Sequence, residues 1–120
     1  MTPPRVPGPL DMLEAEWQGQ FLDLAHALSW EHLHVRRSIG KGRSWQTTTN
    51  LKGWPDLLLW SARQPGRHIG VELKREEGQP TVEQLEVGER LVAAGFEFYV
   101  WRPSDLAVAQ AVLTRPPTAT

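Results

Sequence analysis

The segment GWPDLLLW, residues 53–60, places an acidic side chain, Asp56, directly before four large apolar residues. A continuous apolar run of this length predicts a β-strand buried on both faces. After a turn at residues 64–67, the segment IGVELK, residues 69–74, alternates aliphatic residues with Glu72 and Lys74. A strand there puts the aliphatics on one face and Glu72 with Lys74 on the other. Because the connection is short, we expect the two strands to pair and to bring Asp56 and Glu72 to one end of a sheet.

The sequence on either side of these strands predicts a mixed α/β domain. Apolar residues at three- and four-residue steps indicate an amphipathic helix from Leu10 to about Leu28. Residues 31–36 alternate like a strand, and Thr81 to Gln84 reads as a capping box that opens a helix ending at Gly95. A strand over residues 96–101 and a short helix to about residue 113 follow. The expected element order is α-β-β-β-α-β-α.

The length and composition of the chain indicate one soluble globular domain. It has 120 residues, a net charge of −1 and no cysteine, which excludes disulfides, thiolate metal sites and cysteine nucleophiles. No apolar run approaches the roughly 20 residues that a membrane span needs, so the cytoplasm is the default location. We expect a flexible proline-rich segment over residues 1–9, a single domain over 10–113 and a flexible tail over 114–120.

A basic segment lies between the first predicted strand and Asp56. Residues 36–53 carry no acidic side chain, and residues 37–53 are expected to form a long mobile loop. The segment is either a solvated connection or a phosphate-binding surface on which an aromatic ring stacks on an unpaired base, and we favour the second. The residues assigned to nucleic acid are Arg36, Arg37, Lys41, Arg43, Trp45 and Lys52.

The carboxylates suit phosphodiester chemistry. A hard divalent cation polarises a phosphate and acidifies a water, and it prefers carboxylate, carbonyl and water oxygens as ligands. Asp56 and Glu72 supply two such groups, and Lys74 places a positive charge beside the phosphate or the attacking water. Each motif alone has an ordinary explanation, as a turn opener or a solvated strand edge, but their combination favours catalysis.

These residues resemble the PD-(D/E)XK nuclease signature in its Glu-x-Lys form. The wider pattern, with Gly53 before Pro55 and Gln84 in the next helix, is similar to the VRR-Nuc branch, which includes small phage-type and Holliday-junction-resolvase-like enzymes. The resemblance covers about Glu14 to Asp105. It implies a restriction-endonuclease-like core with a mixed central sheet flanked by helices.

The resemblance also implies the active site and its cofactor. It assigns catalysis to Asp56, Glu72, Lys74, Gln84 and Glu14, with Mg²⁺ or Mn²⁺ held by Asp56, Glu72, Glu14 and the backbone carbonyl of Leu73. Glu16 competes with Glu14 for the helix position, and we prefer Glu14 because it lies on the apolar stripe. Gln84 already has a structural task in the capping box, so both roles stay open.

Three functions remain to be separated. The leading hypothesis is a DNA endonuclease that recognises backbone and shape, selects junctions or flaps, and acts as a homodimer through Tyr99, Trp101 or exposed tryptophans. A non-catalytic nucleic-acid-binding module and a sequence-specific restriction-type enzyme are the alternatives. His32 and His34 invite a zinc site, but no third ligand stands at a recognisable spacing, and DNA contact or surface exposure is favoured.

Overall fold

The computed structural model describes Gly8 and residues 11–35, 37–39, 45–47 and 52–115. The predicted flexible segment 1–9 therefore lies outside the described residues except for Gly8, and so does the tail beyond Arg115. The elements in chain order are α1 (Glu14–Ala27), β1 (Glu31–His34), β2 (Arg37–Ile39), β3 (Trp45–Thr47), β4 (Leu57–Trp60), β5 (Ile69–Leu73), α2 (Val82–Ala93), β6 (Glu97–Trp101), a 3-10 turn (Pro103–Asp105) and α3 (Leu106–Thr114).

The main sheet has four strands in the order β1-β4-β5-β6. β1 and β4 pair antiparallel, β4 and β5 pair antiparallel with Leu57 opposite Val71, and β5 and β6 pair in parallel. The parallel pair is joined through α2, as a crossover connection requires. This mixed sheet with flanking helices is the predicted fold class, and it puts the residue before β4 beside the end of β5.

The core lies on the face of the sheet that α1 and α3 cover. Trp17, Phe21 and Ala25 of α1 are fully buried against the aliphatic residues of β4 and β5. Two indole N–H groups are satisfied by distant backbone carbonyls, with Trp17 donating to Trp101 and Trp30 to Leu113. These bonds fix both helices on the sheet without leaving a buried donor unpaired.

Helix α2 covers the opposite face of β5 and β6. Its capping box is formed as predicted, with the Thr81 side chain accepting from the Gln84 amide and the Gln84 side chain accepting from the Thr81 amide. Among its apolar residues Leu91 is buried, whereas Leu85 and Val92 are 45% and 55% exposed. The helix is rotated so that Gly88 lies close to Phe98, where no larger side chain fits.

The segment expected to be a long loop contains additional structure. β2 and β3 pair antiparallel, with Arg37 opposite Thr47 and Ile39 opposite Trp45, as a sheet separate from the main one. The element order therefore gains two strands relative to the prediction. Hydrophobic alternation could not reveal them, because three residues are too few for the period of a strand to be recognised.

Both ends of the domain differ slightly from the expected boundaries. α1 begins at Glu14 rather than near Leu10, and α3 continues through Thr114. Arg115 is not part of a frayed tail, because its guanidinium donates to Glu97 at 2.9 Å and to the Tyr99 hydroxyl at 3.3 Å. Within the described ranges, none of the helices has both the length and the apolar character needed to cross a membrane.

Candidate active site

Asp56 is placed by the backbone around it. Its carbonyl accepts from the Val35 amide at 3.0 Å, which extends the β1–β4 pairing by one residue. Its carboxylate accepts from the Leu73 amide at 3.2 Å, a contact that joins residues 17 positions apart. The two strands thus bring Asp56 to the end of β5, as the short turn predicted.

Gly53 fixes the approach of the chain to Asp56. It has a φ of +90°, and a Cβ at this position would lie 2.5 Å from the Glu83 carbonyl oxygen in the first turn of α2. Only glycine combines this conformation with so close a contact. In the sequence, Gly53 stands out only as part of the motif before Asp56. The local pattern that points to a structural role is its position two residues before Pro55.

Glu72 is the most unusual side chain of the site. It is 1% exposed, and neither of its carboxylate oxygens has a hydrogen-bond partner. Burial raises the pKa of Glu72 well above its usual range, and the nearby Asp56 carboxyl raises it further. Two neighbouring carboxylates repel each other when both are ionised, so the ionised form of Glu72 is costly unless a cation lies beside it. A buried acceptor pair of this kind is arranged for a positive partner.

Lys74 supplies part of that positive charge. Its ammonium lies 3.9 Å from a Glu72 oxygen, which is an ion pair but too long for a hydrogen bond. The charge lowers the pKa of Glu72, in opposition to the larger effect of burial. The Lys74 amide continues the β5–β6 ladder by donating to the Trp101 carbonyl at 3.1 Å. The backbone of Lys74 is therefore held by the sheet, while its ammonium group keeps N–H donors for another partner.

Glu14 is the first residue of α1, and it is exposed rather than part of the buried face. The expectation that it faces the fold from the apolar stripe was wrong, because the buried face of α1 starts at Trp17. Its negative charge nevertheless reaches Glu72, since it is the smallest of the contributions that raise the pKa of that group. The preference for Glu14 over Glu16 stays a prediction.

Gln84 lies 4% exposed in the first turn of α2. Its side-chain oxygen accepts from the Thr81 amide at 2.8 Å, so the structural task expected for this residue is present. The NH₂ group and the second lone pair of the oxygen are left for a contact with a substrate or with a metal-bound water.

The carboxylates fit a hard divalent cation. Within the described part of the chain, no three or more histidine, cysteine, aspartate and glutamate side chains are grouped to hold a metal ion. Asp56 and Glu72 are two side-chain donors, and a backbone carbonyl with waters can complete such a coordination sphere. The two unpartnered oxygens of Glu72 are the observation in favour of this fit, since a buried carboxylate without a donor is costly otherwise.

The residues assigned to nucleic acid are only partly described. Arg36, Lys41 and Arg43 lie outside the described residues, and Arg37 and Trp45 are described only as members of β2 and β3. Lys52 is described in full: its side chain is 80% exposed and pairs with Glu83 at 3.4 Å.

Trp101 is not available as a dimer contact. It is 3% exposed, lies in the core against Phe21, and stacks on Tyr99 with ring centroids 4.7 Å apart. The Tyr99 hydroxyl is also engaged, donating to Glu97 at 2.7 Å. The proposed interface at Trp101 was wrong because alternation along an edge strand does not say which face the helices cover.

Comparison with known proteins supports the fold and the family. No protein-family model matches the sequence, and no curated protein matches it. A solved structure described as a VRR_NUC domain matches with a TM-score of 0.54 and 29% sequence identity, over 79% of this chain and 90% of the other. The match agrees with the restriction-endonuclease-like architecture and with the motif order found in the sequence. The chain is therefore similar to a VRR_NUC domain in fold, which agrees with the resemblance to the VRR-Nuc branch of nucleases.

Proposed function

We propose that the chain is a nuclease that hydrolyses phosphodiester bonds with Mg²⁺ or Mn²⁺ as its cofactor. The observation that carries the proposal is the buried Glu72 carboxylate, which has no hydrogen-bond donor and lies beside Asp56 and within 3.9 Å of Lys74. A cation would stabilise the ionised forms of these two neighbouring carboxylates in a buried site. The same cation would promote cleavage of a phosphodiester bond.

Each residue has a distinct role in this proposal. Asp56 and Glu72 hold the cation, with Glu14 and the Leu73 carbonyl as the further ligands that the family resemblance implies. The bound ion supplies Lewis acidity toward the phosphate and makes water more acidic. Lys74 stabilises the negative charge that develops on the phosphate or on the nucleophile. The Leu73 amide holds Asp56 in place by its 3.2 Å hydrogen bond, and the Gln84 NH₂ group is free to orient a water.

The proposed substrate is DNA recognised through its backbone and shape. The chain leaves the main sheet after Val35, forms the β2–β3 ribbon, and returns through Lys52 to Asp56. Because Val35 is hydrogen-bonded to Asp56, the ribbon is rooted beside the carboxylates. A basic segment rooted there is suited to hold phosphates next to the site, which supports assigning Arg36, Arg37, Lys41, Arg43, Trp45 and Lys52 to nucleic acid.

Selectivity for branched DNA and a homodimer are part of the same proposal. A two-fold junction requires two cleavage sites, and a two-fold dimer of this domain supplies them. Because Trp101 is buried, the contacts between the two protomers must come from other surfaces. Light scattering of the purified chain, alone and with a four-way junction, tests the dimer directly. A monomer in both samples contradicts this part of the proposal.

The decisive experiment compares Lys74→Ala with a matched control. Purified protein is incubated with branched, linear duplex and single-stranded DNA, in Mg²⁺, Mn²⁺ or EDTA. Arg63→Ala removes an exposed cation from the turn beyond the other end of β4 and serves as the control. We expect metal-dependent cleavage that falls by roughly 10²–10³-fold in Lys74→Ala, the typical cost of removing one charge-stabilising group, and that persists in Arg63→Ala.

The outcomes separate the competing functions. DNA binding without cleavage under every metal contradicts the proposal and favours a non-catalytic binding module. Cleavage at one fixed sequence favours a restriction-type enzyme. Equal cleavage of all three substrates contradicts only the proposed selectivity for branched DNA. Circular dichroism of Lys74→Ala tests whether a loss of activity is caused by a loss of fold.

A further inference from the structure

Two histidines face each other where the end of α1 meets the first strand of the sheet. His26 lies in the last turn of α1, and His32 lies in β1. The Nε2 atom of His26 is 2.9 Å from the Nδ1 atom of His32, and the ring centroids are 4.9 Å apart. Strand alternation in the sequence pairs His32 with His34 instead, because residues two apart share a strand face, and it gives no sign of a partner from the helix.

The separation of the two nitrogens suits a shared metal ion. Imidazole nitrogens bind late transition ions at about 2.0–2.1 Å, so two ligands at a right angle lie about 2.9 Å apart and two tetrahedral ligands about 3.4 Å apart. The observed 2.9 Å matches the right-angle separation, so the two nitrogens need not move apart, and the rings turn from the hydrogen-bonded orientation to direct both lone pairs at one ion. Only one N–H can occupy the space between these nitrogens, and the ion takes its place when that proton moves to the other nitrogen of its ring.

We propose that His26 and His32 form a two-histidine chelate for a late transition-metal ion, of the Zn²⁺, Ni²⁺ or Cu²⁺ class. The protein supplies two nitrogen ligands, and water occupies the remaining positions, since no group of three ligands is present in the described ranges. The site is distinct from the carboxylate site in both place and chemistry. Nitrogen donors select late transition ions, whereas Mg²⁺ prefers oxygen ligands.

The surroundings favour the ligand form of His32. Burial lowers the pKa of His32, and the neighbouring His26 and His34 lower it further, which favours the neutral ring that a metal ion requires. His26 is exposed and His32 is half-buried, which leaves access for an ion and its waters. A bound ion would tie the C-terminal end of α1 to β1, the edge strand whose far end leads to Val35 and Asp56.

The test measures Zn²⁺ binding to the full chain in excess Mg²⁺, which occupies the oxygen-rich site. The background variant Asp56→Asn with Glu72→Gln removes the carboxylate ligands, so the histidine site is measured alone. His26→Gln and His32→Gln each remove one donor. His68→Gln is the matched control, because His68 is an exposed histidine that packs against Phe96 in another part of the domain.

We expect one Zn²⁺ ion per chain in the background variant, and an affinity that falls by about a hundredfold when either His26 or His32 is replaced, because the second ligand then binds without the first. His68→Gln should retain the affinity. Electron paramagnetic resonance of the Cu²⁺ form should show two nitrogen ligands, reduced to one in His26→Gln. Unchanged Zn²⁺ affinity in both single variants, or nitrogen coupling that persists in both, overturns the proposal. His26 is exposed, so its variant remains informative even if His32→Gln fails to fold.

This inference does not depend on the proposed nuclease activity. A protein that binds Zn²⁺ through the histidines but cleaves no DNA would support the chelate and contradict the catalytic proposal. Cleavage that is lost in Lys74→Ala, together with no histidine-dependent Zn²⁺ binding, would support the catalytic proposal and contradict the chelate.

Discussion

Two glutamates in neighbouring strands of one parallel pair have opposite surroundings. Glu97 of β6 accepts two hydrogen bonds from Arg67, both 2.7 Å long, and further bonds from Tyr99 and Arg115. Glu72 of β5 is more deeply buried and accepts none. The hydrogen bonds from Arg67 lower the pKa of Glu97, whereas burial raises the pKa of Glu72.

The difference separates a structural carboxylate from a functional one. Arg67 also donates to the Val112 carbonyl at 3.1 Å and lies over the Trp30 ring, so the Glu97 cluster joins β6 to the turn before β5 and to α3. Its charges are satisfied within the protein. Glu72 instead keeps two carboxyl oxygens without hydrogen-bond partners, an arrangement that costs stability and is retained where a ligand is to be bound. The following predictions test this contrast, from the largest expected effect to the smallest.

Glu72→Gln should abolish cleavage without destabilising the protein. We expect activity to fall by at least about 10²–10³-fold, as for other losses of a principal charge-stabilising group. The free energy of unfolding of the metal-free protein should not fall, because a neutral amide of the same shape is cheaper to bury than an unpartnered carboxylate. Cleavage assays and urea unfolding measure the two effects, with the exposed Glu77→Gln as control. A clear loss of stability would show that Glu72 has a structural partner.

Gly53→Ala, near Asp56, should lower the free energy of unfolding far more than Gly66→Ala, in the turn beside Arg67. Both glycines have positive φ, +90° and +83°, but only at Gly53 would a Cβ collide with backbone, in the first turn of α2. Strain alone costs about 1–2 kcal/mol. The collision should bring the total at Gly53 to about 3 kcal/mol and should lower cleavage, because Asp56 lies only three residues further along the chain. Chemical unfolding of both variants measures the difference, and equal losses would contradict the close contact between Gly53 and α2.

Glu97→Gln should lower stability by roughly 2 kcal/mol at neutral pH and leave the cleavage rate of the folded protein unchanged, because it removes charge-assisted hydrogen bonds that are partly exposed. The effect should depend on pH. The pKa of Glu97 is lower in the folded state, so the unfolded chain binds the proton more tightly and the contribution is complete above the unfolded pKa. Unfolding measured from about pH 7 to pH 3 should show the two proteins converging as the pH falls through the folded pKa. A constant difference would contradict the assignment.

Lys52→Ala and Arg115→Ala should both change stability by less than about 0.5 kcal/mol, since each removes an exposed cation from a pair with a glutamate. Only Lys52→Ala should weaken DNA binding, with the slope of log affinity against log salt reduced by about one. Binding titrations at several salt concentrations distinguish the two variants. The same salt slope in both would remove Lys52 from the proposed nucleic-acid surface.

Much of the architecture could be predicted from local pattern. The apolar run after Asp56, the alternation before Lys74 and the capping box at Thr81 each identify an element through its own residues. The β2–β3 ribbon could not be predicted this way, because each of its strands has only three residues, too few to show a strand period. The rotation of α2 could not be predicted this way either, because the apolar residues that it leaves exposed are spaced like buried ones.

The sequence by itself determined which residues are available for chemistry and in what order, because motif spacing and strand alternation are local properties of the chain. Only the tertiary structure decided their environments. Asp56 meets Leu73 across 17 residues, and His26 meets His32 across a change from helix to strand. Desolvation and hydrogen-bond partners depend on such distant contacts, and they make Glu97 a structural anchor and the buried Glu72 a candidate cation ligand.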